Sequence, residues 1–149
     1  MITTKKGDLL HAKEKIIAHQ VNCFGAAGGL AAAVFDKYPV AEQDYQQLVQ
    51  RMKPKRLLGK AILTGQQPDG HIVANIFGQY HPGADYRPDA LRDALKQLAA
   101  IARSQDWSIA VPYKLSCGIC GGDWNEVHEI LRQTMRGVDC VIYRREGDK

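Results

Sequence analysis

The residues best suited to chemistry lie in a glycine-rich segment between Val111 and Trp124. An apolar run stops at Pro112, which cannot donate to a sheet ladder, so a strand is expected to end there. The loop that follows carries glycines at 118, 121 and 122, and the Asp123 to Glu126 spacing is that of a helix capping box. Strand, glycine loop and helix start can together present free N–H groups to phosphate. The segment therefore predicts an anion site, with an ordinary turn as the alternative.

A second segment has the same order of parts. The mostly apolar run from Lys15 to Val21 is typical of a strand buried on both faces, and the loop from Asn22 to Gly29 follows it. His19 lies near the end of this strand, and an ordinary histidine can accept or deliver a proton near neutral pH. His19 and Asn22 are therefore candidate catalytic residues. The alternatives are a core histidine with its hydrogen bonds satisfied and an asparagine that caps its own loop.

The four cysteines are Cys23, Cys117, Cys120 and Cys140. Cys117 and Cys120 have C-x-x-C spacing, but a structural zinc site needs two more ligands, and the other two cysteines form no second pair. We therefore expect no metal site, no cofactor and reduced thiols. A thiol redox function at the C-x-x-C pair remains a distant alternative.

The order of elements predicts how these segments are held. Apolar runs predict strands that alternate with helices over 30–38, 41–52, 89–104 and 124–135, while 53–59 reads as a basic connector. Such alternation predicts an α/β fold, a three-layer α/β/α sandwich with a mixed, mainly parallel sheet. Ligands of such sheets bind at the carboxyl ends of strands, where both glycine loops would lie. The convergence of the two loops favours a phosphate-bearing ligand.

Composition excludes several classes of protein. The chain has 149 residues, 45% of them hydrophobic and 24% charged, which is typical of one globular domain over 1–149. No apolar run approaches the about 18 residues of a membrane span, and the N-terminus lacks the apolar stretch of a signal peptide. A cytoplasmic location without a membrane partner is expected. The net charge of +4 is distributed in small groups, which predicts solvated surface and no nucleic-acid footprint.

Together, these motifs resemble the macro domain family. The resemblance is carried by Gly7-Asp8-Leu9-Leu10, by the buried strand that ends in Asn22, by the glycine loop that runs into a helix, and by the 112–124 loop. It covers nearly the whole chain in order and spacing. Within the family, Asn22-Cys23-x-Gly25 and Cys-Gly-Ile-x-Gly-Gly-Asp-Trp most resemble a branch common in phage and bacterial genomes. That branch is related to the ADP-ribose-1''-phosphate phosphatases.

The resemblance implies a ligand, ADP-ribose or a derivative, which could be attached to a macromolecule. It implies that Asp8 accepts a hydrogen bond from the adenine amino group beside Leu9, and that Asn22 contacts the distal ribose. It further implies that one loop surrounds the distal ribose and its phosphate, here called the wrap, and that the other loop binds the diphosphate through backbone N–H groups, here called the cradle. The residues implied for the wrap are Gly28, Gly29 and Leu30, and those implied for the cradle are Ser116, Cys117, Gly118, Ile119, Cys120 and Gly121.

Two functions follow from the resemblance and stay open. The first is hydrolysis of an ADP-ribose derivative, with ADP-ribose-1''-phosphate as the best candidate substrate, and in the phosphatase branch a histidine stands three residues before the asparagine, as His19 stands before Asn22. The second is an ADP-ribose-binding module without turnover. It is favoured because the sequence contains no recognisable set of nucleophile, base and orienting group.

Overall fold

The computed structural model describes residues 1–148, and within them six strands form one sheet. The strands are β1 (Ile2–Lys6), β2 (Ile16–Gln20), β3 (Ala61–Leu63), β4 (Ile72–Ile76), β5 (Ile109–Pro112) and β6 (Cys140–Arg144). The helices are α1 (Gly29–Lys37), α2 (Pro39–Arg51), α3 (Pro54–Leu57), α4 (Pro88–Gln105) and α5 (Trp124–Thr134), and a 3-10 turn spans Leu9–His11.

The strand order is β1-β6-β5-β2-β4-β3, and every pair is parallel except β3 with β4. The predicted mixed, mainly parallel sheet is therefore confirmed. The antiparallel strand is the short one at the edge, which connects to its neighbour through a turn and needs no crossover helix. Among the residues described, no helix is long and apolar enough to cross a membrane.

Two apolar clusters cover the two faces of the sheet and make the sandwich three-layered. On one face, Ile16 and Ala18 of β2 pack with the apolar sides of α4 and α5. On the other face, Ile17 and Val21 belong to a cluster with Phe35 of α1 and Tyr45 of α2. Side chains of a strand alternate between the two faces, so one apolar strand can serve both layers.

Local signals place the ends of the helices. The four predicted helices are present with ends shifted by at most two residues. Pro39 and Pro88 each stand at the first helical turn, where a missing N–H costs nothing. Asp123 caps α5 by accepting a hydrogen bond from the Asn125 N–H at 3.0 Å. The predicted connector over 53–59 was incomplete, because it contains the short helix α3.

Candidate functional site

A cleft of about 750 Å³ opens at the carboxyl ends of β2 and β5. The first glycine loop with the start of α1 lines one part of it, and the second glycine loop lines another. Asp8, which follows β1, and Tyr143 and Arg145, at the end of β6 and just after it, also line the cleft. This is the edge of a parallel sheet at which ligands of α/β proteins bind. The volume lies within the range of about 300–1,000 Å³ that small-molecule sites occupy.

The second glycine loop has a tightly constrained backbone. Ser116 has a φ of +68° and Lys114 a φ of +60°, conformations that are unfavourable for residues with a side chain. Gly122 closes the loop, and its N–H donates to the Ser116 carbonyl at 2.9 Å. A Cβ at Gly122 would stand 2.5 Å from that carbonyl oxygen and 2.7 Å from the ring of Tyr86. Only glycine fits there, so a close approach of two backbone segments explains this glycine.

The same loop leaves several N–H groups free where it lines the cleft. The N–H groups of Cys117 and Gly121 donate within the loop, to Lys114 and Gly118. No acceptor within residues 1–148 takes the N–H groups of Ser116, Gly118, Ile119 and Cys120, and these four residues all line the cleft. Successive unpaired amides on a concave turn bind anions. The loop is therefore arranged to hold a phosphate group.

The start of α1 offers a second set of donors. Gly28 is the N-cap, and because glycine has no side chain, it makes no capping bond to the first N–H groups of the helix. Gly28, Gly29 and Leu30 line the cleft, and a Cβ at either glycine would meet nothing within 4 Å. The glycines keep the helix N-terminus open, and the positive end of its dipole favours an anion there.

Asp8 lies at another part of the same cleft, beside Leu9. One carboxylate oxygen accepts a hydrogen bond from the Leu10 N–H at 2.9 Å and caps the 3-10 turn. The other oxygen accepts no hydrogen bond from the described part of the chain. Asp8 can thus hold its own turn with one oxygen and accept from a ligand amine with the other.

A polar network at the bottom of the cleft was not predicted from sequence. The Ser116 hydroxyl donates to Gln20 Oε1 at 2.7 Å, and Gln20 Nε2 donates to Gln79 Oε1 at 3.4 Å. All three side chains line the cleft. Gln20 joins the end of β2 to the strained residue of the second loop. The signal available in the sequence was Gln20 itself, a polar residue at the end of a mostly apolar strand and on the face opposite His19.

His19 does not reach the cleft, which corrects its assignment as a catalytic group. Its side chain is fully buried and contacts the ring of Phe35 edge-on, with centroids 5.1 Å apart. Its Nε2 pairs with Asn75 Oδ1 at 2.7 Å. Burial lowers the pKa of His19 to about 4, so it is neutral at physiological pH. The alternation of side chains along β2 is the reason, because it directs His19 to the α1 face and Gln20 to the cleft.

Asn22 also lies outside the cleft lining. Its Nδ2 donates to the Ala26 carbonyl at 2.6 Å, its Oδ1 accepts from the Phe24 N–H at 2.9 Å, and its main-chain carbonyl accepts from the Tyr45 hydroxyl at 2.7 Å. The side chain is buried and organises the first glycine loop from within. This is the geometry of the loop-capping alternative, and the contact of Asn22 with a distal ribose stays a prediction.

Two further loop residues predicted to contact a ligand, Cys117 and Gly121, do not line the cleft. The Cys117 thiol donates to the Leu115 carbonyl at 3.2 Å, and burial raises the pKa of this thiol to about 11. A thiol of that pKa carries little thiolate near neutral pH, which is unfavourable for redox chemistry. Cys120 does line the cleft and lies 3.8 Å from the Ser116 hydroxyl. Within residues 1–148, no three His, Cys, Asp or Glu side chains come together as a metal site.

Comparison with known proteins places this cleft in context. A family model described as Macro domain matches residues 15–131. The chain is 40% identical to an ADP-ribose 1''-phosphate phosphatase of Saccharomyces cerevisiae, over 96% of this chain and 98% of the relative. It is 28% identical to the protein of the same name from Candida glabrata, over 93% and 95%.

Solved structures show the same fold. The macrodomain of Mycobacterium tuberculosis DarG superposes with a TM-score of 0.84 at 30% identity, covering 96% of this chain and 97% of that one. Thermosipho africanus DarTG, solved in complex with ADP-ribose, superposes with a TM-score of 0.81 at 20% identity, over 99% of this chain and 42% of the longer chain. At that identity the second comparison supports the fold alone.

Proposed function

The chain belongs to the Macro domain family, and from that premise we propose that it binds ADP-ribose derivatives and removes the terminal phosphate of ADP-ribose-1''-phosphate. The observation that carries the proposal is the set of free amides on two separate segments of one cleft. Ser116, Gly118, Ile119 and Cys120 supply one set, and the start of α1 supplies the other. A ligand with phosphates at two positions matches both sets. The 40% identity to the yeast phosphatase over nearly the full length supports the choice of substrate.

Each part of the ligand has a proposed partner. The free oxygen of Asp8 accepts from the adenine amino group, with Leu9 beside the ring. The second loop holds the diphosphate through its unpaired amides. Gly28, Gly29 and Leu30 at the start of α1 surround the distal ribose and its phosphate. Exposed apolar side chains on the two segments, Leu30 and Ile119, line the cleft and can cover the bound ligand.

The chemistry we propose relies on position and backbone electrostatics. Water attacks phosphorus, the bond from phosphorus to the ribose 1''-oxygen breaks, and the proton of the water passes to that oxygen, giving ADP-ribose and inorganic phosphate. Amides aimed at the phosphoryl oxygens stabilise the charge that develops on them. Orientation of the ester supplies a further part of the rate. His19 has no part in this step, because its side chain is fully buried and its ring packs against the ring of Phe35.

A specific observation favours the second candidate, a binding module. Among the described residues, the two amide-bearing segments contribute no histidine, aspartate or glutamate to the cleft lining. The Ser116 hydroxyl is already directed to Gln20. Recognition without turnover needs nothing more than the free amides and Asp8.

Two measurements on one protein decide between these functions. Titration calorimetry with ADP-ribose measures binding, and phosphate release from ADP-ribose-1''-phosphate measures turnover. Ile119→Pro removes one cradle N–H, whereas Ile119→Ala keeps the N–H and removes only the exposed side chain, so the pair separates the two contributions. We expect Ile119→Pro to weaken binding about tenfold or more, in line with about 1.5–3 kcal/mol for a charged hydrogen bond, and Ile119→Ala to have a smaller effect. Binding without phosphate release establishes the module, and absence of both rejects the proposal.

A further inference from the structure

Four cations line a shallow groove on the outer face of α4 and α5, away from the cleft. Arg92, Lys96 and Arg103 lie along one side of α4, and Arg136 follows α5. The Arg103 guanidinium donates to the Arg136 carbonyl at 2.8 Å and to the Thr134 carbonyl at 3.1 Å. These bonds fix the position of a charged group without neutralising it, because both acceptors are uncharged carbonyls.

A second groove continues this positive surface. It is lined by Lys55, Arg56 and Lys60, from α3 and the residues that follow it, and it shares Lys96 with the first groove. Its lining includes one carboxylate, Asp93. We call the seven cations of the two grooves the α4 basic surface. The sequence spacing predicts small groups that are solvated separately, but the fold brings residues from three segments onto one surface.

In the described part of the chain, the cations of the α4 basic surface form no ion pairs with carboxylates. The ion pairs found within residues 1–148 involve Met1 with Asp139, and Arg87 and Arg132 with carboxylates near them in sequence. None of these pairs includes a residue of the α4 basic surface. Seven positive charges against one negative charge exceed the net +4 of the whole chain, so the surface concentrates its positive charge here. Such a concentration attracts polyanions.

We propose that the α4 basic surface binds the phosphate backbone of duplex nucleic acid. Arg92 and Arg103 are eleven residues apart on one helix, about 16 Å, and a duplex presents one phosphate charge per about 1.7 Å of axis, so several cations can each meet a phosphate. Neither groove has an aromatic residue in its lining, and binding to single strands relies on aromatic stacking.

A membrane surface fits these grooves less well. Of the exposed large apolar side chains in the described chain, Phe24 and Ile119 belong to the two glycine loops, and none lines either groove of the α4 basic surface. A peripheral membrane site normally combines basic residues with apolar side chains that insert. The duplex is therefore the partner that the observations favour, and the proposed site is separate from the cleft.

The test is fluorescence anisotropy with an unmodified, labelled DNA duplex of about 20 base pairs, titrated from about 50 to 200 mM salt. Lys96→Gln, Arg103→Gln and Arg136→Gln together remove three cations of the surface. Lys5→Gln, Lys6→Gln and Lys13→Gln remove the same charge from exposed positions on or near β1, at the opposite edge of the sheet from β3. Each phosphate contact contributes about 0.9 to the slope of log K against log salt, so the first variant should lower the slope by about 2–3 and weaken binding at least tenfold.

The outcomes separate cleanly. Loss of duplex binding in the first variant, with binding largely kept in the charge-matched control, supports the proposal. Equal loss in both variants, or no duplex binding by the parent at about 50 mM salt, overturns it. Binding to phosphatidylserine vesicles in place of the duplex also overturns it. A second variant, with Lys55, Arg56 and Lys60 each changed to Gln, repeats the test should the first lose its thermal transition. ADP-ribose calorimetry on the same proteins keeps this result distinct from that for the cleft.

Discussion

The hydrogen bond between Gln20 and Ser116 gives the sharpest prediction about the cleft. Gln20→Leu preserves approximate volume but removes the acceptor for the Ser116 hydroxyl, which lies 2.7 Å away. Ser116 is only 7% exposed and holds a φ of +68°. A non-glycine residue in that conformation costs about 1–2 kcal/mol, and an unsatisfied buried hydroxyl costs about 1–3 kcal/mol. The bond therefore offsets a strain of comparable size.

The expected loss of affinity follows from these two terms. Because Ser116 lines the cleft, its hydroxyl can turn to water after the substitution, which favours the lower part of the range. We expect Gln20→Leu to shift the loop away from the phosphate-holding conformation by about 1–2 kcal/mol, which corresponds to a 5- to 30-fold weaker affinity for ADP-ribose. Replacing Ser116 by glycine in the Gln20→Leu protein removes the strain and should restore part of that affinity.

Calorimetry with ADP-ribose on a double-mutant cycle tests this reasoning. If the bond positions the loop, Gln20→Leu and Ser116→Ala should cost little more together than either costs alone. Gln47→Leu, at an exposed position on α2, is the matched control and should bind as the parent does. The reasoning is refuted if folded Gln20→Leu binds within twofold of the parent, or if the two losses simply add.

Three further predictions address individual side chains. Asp8→Ala should weaken ADP-ribose binding by about 1–3 kcal/mol and should also lower the melting temperature, because the hydrogen bond to the Leu10 N–H is lost. Asp8→Asn should keep that bond and lose only affinity. Calorimetry measures the affinity of each variant, and thermal melts measure its stability. The folded protein binds the proton of His19 only near pH 4, whereas the unfolded chain binds it near 6.5, so stability should fall by up to about 1.4 kcal/mol per unit as pH drops through this window. Denaturant titrations of the parent and of His19→Gln should then differ in pH dependence, and equal dependence would contradict the buried, neutral histidine. Because burial raises the pKa of Cys117 to about 11, iodoacetamide should label it at pH 8 more slowly than free cysteine, as mass spectrometry of the peptide can measure.

The order of layers could be derived from sequence because it depends on local patterns. Apolar runs of strand length alternate with amphipathic runs, and prolines at 39 and 88 mark helix starts. The Asp123 cap is a signal within four residues of chain, and Asp123 caps α5, whereas Glu126 accepts from the Tyr86 hydroxyl at 2.6 Å and does not complete the capping box. The short helix α3 was missed because four residues carry too little periodicity to be recognised.

The topology predicted from sequence also brought the two glycine loops to one edge of the sheet, whereas Asp8 entered the predicted site only through the resemblance to macro domains. Parallel strands bring their carboxyl ends to one edge, so loops after β2 and β5 meet regardless of how far apart they stand in the chain. That inference needs only topology and the chemistry of glycine.

Tertiary structure decided which side chains reach the cleft and which charges lie on one surface. His19 and Gln20 are neighbours, yet the pleat of β2 sends one into the core and the other into the cleft. Asn22 could face a ribose or its own loop, and in the structure its side chain bonds to Ala26 and Phe24 of that loop. The α4 basic surface arises because helix packing unites Lys55, Lys96 and Arg136, whose separation in sequence hides their proximity in space.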